Sequence, residues 1–138
     1  MRAAPLLLIA AAVGCTDLPA GLAQFDGTFS YLASDTSGRP AFGGTLRLIV
    51  KPDSTVEGTY DIVSYRFGGS GRTLVGHVSG DSIFLWLDPN PDGGTIIHAG
   101  AGLGGGFMGT WALNTIAGSI PGGGIFAQRT NDRLPSAP

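Results

Sequence analysis

The sequence predicts an all-β fold, an eight-stranded antiparallel up-and-down β-barrel, with a β-sandwich as the alternative. Three observations lead there. After residue 23, apolar residues never recur at helical spacing over ten residues; they come in short alternating runs. Gly, Pro, Asn and Asp interrupt those runs every 8–12 residues or so, about the spacing of consecutive hairpins. Glycine also numbers 24 in 138 residues, well above the usual share of about 7%, and punctuates the strands.

The strands follow in order. Phe25 to Leu32 opens the series, with Phe25, Phe29 and Tyr31 on one face. Thr45 to Lys51 places Leu46, Leu48 and Val50 together, and the turn Lys51-Pro52-Asp53-Ser54 leads into Thr55 to Tyr65. Proline and aspartate suit the first positions of such a turn. A flexible link, Gly68-Gly69-Ser70-Gly71, precedes Arg72 to Ser79, and Gly80-Asp81 turns the chain into Ser82 to Asp88. After Pro89 to Gly94 comes Thr95 to Ala99, then Gly106 to Asn114 and finally Gly123 to Arg129. Thr130 to Pro138 reads as a loose, polar tail.

Barrel closure would remove the exposed edges of such a meander. A repeated glycine, threonine, aromatic triplet favours it: Gly27-Thr28-Phe29, Gly58-Thr59-Tyr60 and Gly109-Thr110-Trp111. Glycine inside a strand permits sharp coiling, and the adjacent ring covers the missing side chain. The Gly27-x-Phe29 of the first strand and the Ala127-Gln128-Arg129 of the last resemble the calycin superfamily of lipocalins, avidins and their relatives. In that family a Gly-x-Trp on strand one is crossed by a basic residue from the end of the barrel. The resemblance implies that Gly27, Phe29 and Arg129 close the barrel, with Arg129 over the Phe29 ring. Phe29 stands where the family has tryptophan, and the avidin set of biotin contacts is not matched.

The N-terminus carries an address. Arg2 is followed by an apolar run from Leu6 to Val13, then Gly14-Cys15. That run is too short for a ~30 Å hydrocarbon core, which needs about 20 residues, and its layout is that of a targeting segment. Ala12-Val13-Gly14-Cys15 resembles a bacterial lipobox, although Ala12 stands where leucine is usual. The resemblance implies a signal peptide over 1–14, cleavage before Cys15 and acylation of its sulfur. A lipidated tether over 15–24, a barrel over 25–129 and a tail over 130–138 would then make up the mature protein. Thr16 after the cysteine implies outer-membrane sorting, facing the periplasm. Cleavage after Ala23, giving a soluble secreted barrel, is the alternative.

Composition narrows the chemistry. Cys15 is the only cysteine, so the barrel holds neither a disulfide nor a thiolate metal site. The net charge is −2 and the eight basic residues are scattered, which argues against nucleic acid as a partner. Gly100 to Gly105 fits G-x-G-x-x-G, but a strand follows it and no acidic residue occurs before Asp132; a nucleotide loop needs a helix there and an acid about 20 residues on. Asp88, Asn90 and Asp92 open like a calcium loop, yet Ala99 stands where a bidentate glutamate belongs, which argues against calcium as a cofactor. His77 and His98 are the only histidines, both in strands, where a facing pair would be a two-nitrogen metal or proton-transfer site. There is no G-x-S-x-G elbow, and Glu57, the only glutamate, reads with Asp61 as part of a solvated face. The expectation is a protein that is not an enzyme.

Two functions remain. The barrel can hold a small apolar ligand, with Tyr31, Tyr60 and Trp111 as lining residues. Alternatively its own side chains fill it, and the outer surface meets an envelope protein. Outward Phe84 and Trp86 would then form a contact patch, unless a neighbouring segment covers them.

Overall fold

The computed structural model describes residues 18–64, 68–102 and 104–130. The expected signal peptide, Cys15 and residues 131–138 of the tail lie outside the described residues. A short helical turn, α1 (Ala20–Ala23), precedes eight strands: β1 (Gly27–Ser34), β2 (Pro40–Val50), β3 (Thr55–Ser64), β4 (Gly68–Ser79), β5 (Ser82–Asn90), β6 (Gly93–Ala101), β7 (Gly106–Thr115) and β8 (Gly118–Arg129). Each strand pairs antiparallel with the next, and β8 returns to β1 to close an up-and-down barrel. The closing register runs from Phe29 opposite Arg129 to Ala33 opposite Ile125. The sandwich alternative is excluded by that seam.

Alternation sorts the side chains. Phe29, Tyr31 and Ala33 of β1, Leu46, Leu48 and Val50 of β2, and Ile83, Leu85 and Leu87 of β5 all point inward and are buried. Burying each large side chain contributes roughly 1.5–3 kcal/mol relative to leaving it in water. No polar or charged residue is buried among the described residues. The interior is therefore an apolar core packed by the chain itself.

Strand limits differ from expectation in instructive ways. β2 begins at Pro40 rather than Thr45, pairing Gly43 with Leu32 and Gly44 with Tyr31. β4 includes the presumed Gly68–Gly71 link, with Gly69 opposite Ile62, and β8 begins at Gly118 rather than Gly123. Ladder hydrogen bonds need only backbone, so a glycine run can pair as well as it can bend. Phe25 is not in a strand. Gly27, at φ +128°, turns the chain there, and Phe25 folds under the barrel instead.

That fold-under closes what we term the lower end, where β1 starts, β8 ends and the β2–β3, β4–β5 and β6–β7 turns lie. The upper end carries the other connections. The second half of the expected tether docks below: Leu18 and Leu22 pack on the core, and Phe25 lies within it. Phe107 joins the two parts, with ring centroids 6.0 Å from Phe25 and 5.1 Å from Phe29. The guanidinium carbon of Arg129 sits 4.8 Å from the Phe29 ring centroid. Its Nη1 donates to the Asp26 carbonyl at 2.6 Å, and its Nη2 donates to those of Gln24 at 2.9 Å and Ala23 at 3.3 Å. The φ at Gly27 is one that side chains rarely adopt, and a Cβ there would also push Arg129 Nη1 from its place.

Arg129→Met removes those donors and leaves the α1 segment held by apolar contacts and by the Val50 amide's bond to the Asp26 carboxylate. A loss of about 2–3 kcal/mol is expected for charge-assisted bonds of this kind. Urea unfolding measures it, and limited proteolysis should cut the variant first near residues 18–26. An unchanged midpoint with a protected N-terminal segment would contradict this role for Arg129.

Candidate functional site

At the upper end the structure gathers two of the three expected ligand-lining residues through one that was not expected. Phe42 lies between Tyr31 and Trp111, with ring centroids 6.1 Å and 4.9 Å away and both contacts edge-on. Trp111 Nε1 donates to the Ser34 carbonyl at 2.7 Å, and the Tyr31 hydroxyl donates to the Asp61 carbonyl at 2.9 Å. The Trp111 ring lies over Gly122, where a Cβ would stand 2.5 Å from it. Tyr60 is buried on β3. The polar atoms of Tyr31 and Trp111 are thus engaged by the barrel itself, and a ligand here would meet ring faces and edges.

Burial pushes the Tyr31 phenol well above the ordinary tyrosine value of 10.0, and Tyr60 and Asp61 add to the effect. Tyr60 is raised too, by burial first and then by Asp88, with Arg72 opposing. The unfolded chain gives up these protons as pH passes 10, whereas the folded chain keeps them. The stability tied to the neutral phenols is therefore fully present below pH 10 and is lost as pH rises above it. Tyr31→Phe is expected to lose about 1 kcal/mol at neutral pH through its hydrogen bond while showing a shallower alkaline decline. Urea midpoints followed into the alkaline range test both parts.

The other candidate residues are positioned by turns and ladders. Asn90 Nδ2 donates to the Asp88 carbonyl at 3.1 Å, and Asn90 Oδ1 accepts from the Asp92 amide at 3.0 Å. The Asp88 carboxylate lies 3.8 Å from Arg72 Nη1. The Asn90 bonds close the β5–β6 hairpin on itself, and the Arg72 pair ties it to β4. Gly100 to Gly105 spans the β6–β7 turn, tied by the Gly102 amide on the Gly106 carbonyl at 2.8 Å. His77 and His98 do not face one another: the Phe84 ring stands between them, 5.3 Å from each. Trp86 is half-buried, its Nε1 donating to the Gly93 carbonyl at 3.2 Å, so the hairpin holds it down.

Charge divides the outer wall into two regions. The β2–β3 side carries Arg47 paired with Asp61 at 3.5 Å and Lys51 with Glu57 at 3.3 Å. The sequences of β6, β7, β8 and β1 contain no charged residue except Arg129, which is folded under the lower end. On that neutral side, register sets Leu32 opposite Phe126 and Phe126 opposite Met108. Their exposures are 49%, 49% and 57%, so three large apolar side chains form one row across three strands. A groove of about 420 Å³ runs along this row. It adjoins a depression of about 260 Å³ beside His98 and Gly100, sharing Met108, Gly109 and Thr110. Another, of about 310 Å³, continues past Ser82 to Phe84 and His77. Gly100 and Gly124 leave the floor bare, since a Cβ on either would meet nothing closer than 3.7 Å.

This row was missed in the sequence, although alternation marks each member as outward. Its adjacency depends on register, which a single strand does not reveal. Compared with protein-family models, with curated proteins and with solved structures, the chain matches none. The class is defined by the structure alone: a closed, eight-stranded up-and-down barrel with a self-packed core.

Proposed function

We propose that this chain is a lipid-anchored lipoprotein of the cell envelope, held at the outer membrane through Cys15 and facing the periplasm. In this reading its barrel meets an envelope protein through the uncharged outer wall and acts by binding rather than catalysis. The observation that carries the binding half is the Leu32–Phe126–Met108 row on a wall without charge. Exposed apolar rows of this kind mark contact surfaces, and lack of charge spares a partner the desolvation of ions. A membrane-spanning barrel is disfavoured, because it turns an apolar band outward all round and a polar lining inward. Here the interior is apolar and Arg47, Lys51, Glu57 and Asp61 stand on the outer face. The anchoring half rests on the apolar run and Gly14-Cys15.

Cys15→Ser is expected to abolish metabolic labelling by palmitate and to move the protein from the membrane fraction to the soluble one. An unlabelled wild-type protein would overturn the anchor. For the wall, a photo-crosslinker at Met108 should trap a discrete envelope protein while one at Glu57 should not; equal trapping at both would count against the neutral wall as the contact. A small apolar ligand at the upper end is the second reading, supported by the half-buried rings of Phe42 and Trp111 beside Tyr31. Native mass spectrometry of the purified protein distinguishes it by a retained small molecule.

A further inference from the structure

We infer that the lower end of the barrel rests against the lipid headgroups, so that the upper end points away from the membrane. The inference rests on the proposed acylation of Cys15 and adds which surface the lipid meets. Its basis is the length of chain between Cys15 and the first docked residue. If residues 16–24 were a loose tether, about ten residues from Cys15 to Phe25 could span roughly 35 Å. The barrel is about 25 Å tall, from strands of 8 to 12 residues tilted roughly 40°. A leash longer than the barrel would let either end, or the side, touch the membrane.

The docked segment removes that freedom. Leu18 and Leu22 pack on the core, Phe25 is 1% exposed, and Arg129 binds the carbonyls of Ala23, Gln24 and Asp26. From Cys15 to Leu18 is a step of three residues, reaching about 10 Å at most. That is less than half the height of the barrel, and it starts from the lower end. The short turns Lys51–Ser54 and Gly80–Asp81 share that end, so the chain offers little bulk between the anchor and the lipid surface. The neutral outer wall then stands sideways to the membrane, open to a partner.

The test uses the full-length acylated protein in vesicles whose lipids carry a headgroup quencher. An environment-sensitive fluorophore is placed on Asp81→Cys at the lower end or on Ala117→Cys at the upper end, since the Cys15 thiol is blocked by its acyl chain. The lower label should be quenched several-fold more than the upper one. Inserting ten Gly/Ser residues between Asp17 and Leu18 should shrink that difference without disturbing the barrel. Equal quenching at both ends of an acylated, vesicle-bound protein overturns the orientation and leaves the anchor standing. Protein whose mass shows no acyl chain, or which binds vesicles equally well as Cys15→Ser, overturns the anchor and the orientation with it.

Discussion

Phe107→Ala is expected to lower the unfolding free energy by about 3–5 kcal/mol, the range for emptying a buried phenylalanine site. Phe107 is 1% exposed and touches both Phe29 in the barrel and Phe25 beneath it. Its loss leaves a cavity where β1, β7 and the docked segment meet. Each of those parts is held in place by the others, so the site has little room to collapse and refill. With total stability of roughly 5–15 kcal/mol for a domain of this kind, the variant should be close to unfolding at physiological temperature. Equilibrium unfolding in urea reads the change. Phe107→Leu, which keeps most of the volume, should lose much less; equal losses for both would mean that ring shape rather than filled space matters here.

Gly109→Ala is the second substitution with a large expected effect, about 3 kcal/mol, at the top of the usual range for overpacking. A Cβ at Gly109 would fall on the His98 carbonyl and stand 2.5 Å from the Ala99 Cα. Those atoms are backbone of β6, so no side chain can swing aside and the β6–β7 ladder must part. Gly124→Ala on the next strand is the control. Its Cβ would meet only the Gly109 carbonyl, at 3.7 Å, and stability should hardly change. If Gly124→Ala were as damaging as Gly109→Ala, general glycine content rather than this close approach would be what the barrel needs.

Much of the architecture was legible because hairpin chemistry and period-two alternation are local. Lys51-Pro52-Asp53-Ser54 and Gly80-Asp81 mark their turns by residue type alone, and the inward sets of β2 and β5 follow from counting by two. Closure was legible only through the repeated Gly-Thr-aromatic triplet, which β8 pairing with β1 bears out, since alternation reports two faces and is the same for a barrel and a sandwich. Glycine misled in both directions. Gly68 and Gly69 read as a link but pair in β4, while Phe25 and Phe29 read as one face although β1 begins only at Gly27. The place of Arg129 over Phe29 came into view only through resemblance, because the two residues are far apart in sequence. The outer row lay deeper still. Leu32, Met108 and Phe126 become neighbours through two separate registers, and the second carries an irregularity at Trp111/Ala112 that no residue type announces.

The seam between β1 and β8 has a consequence for the timing of folding. It joins the two ends of the domain, with Arg129 bonding to a carbonyl 103 residues earlier. Chains dominated by such distant pairings fold slowly, because loop-closure entropy must be met before the contacts reward it. Until β8 is available, β1 and β7 are both open edges and the apolar interior has an unclosed side. An incomplete chain is thus not a weaker version of the protein but a sticky intermediate, prone to join others of its kind. The last dozen residues of the barrel decide when a closed state exists at all.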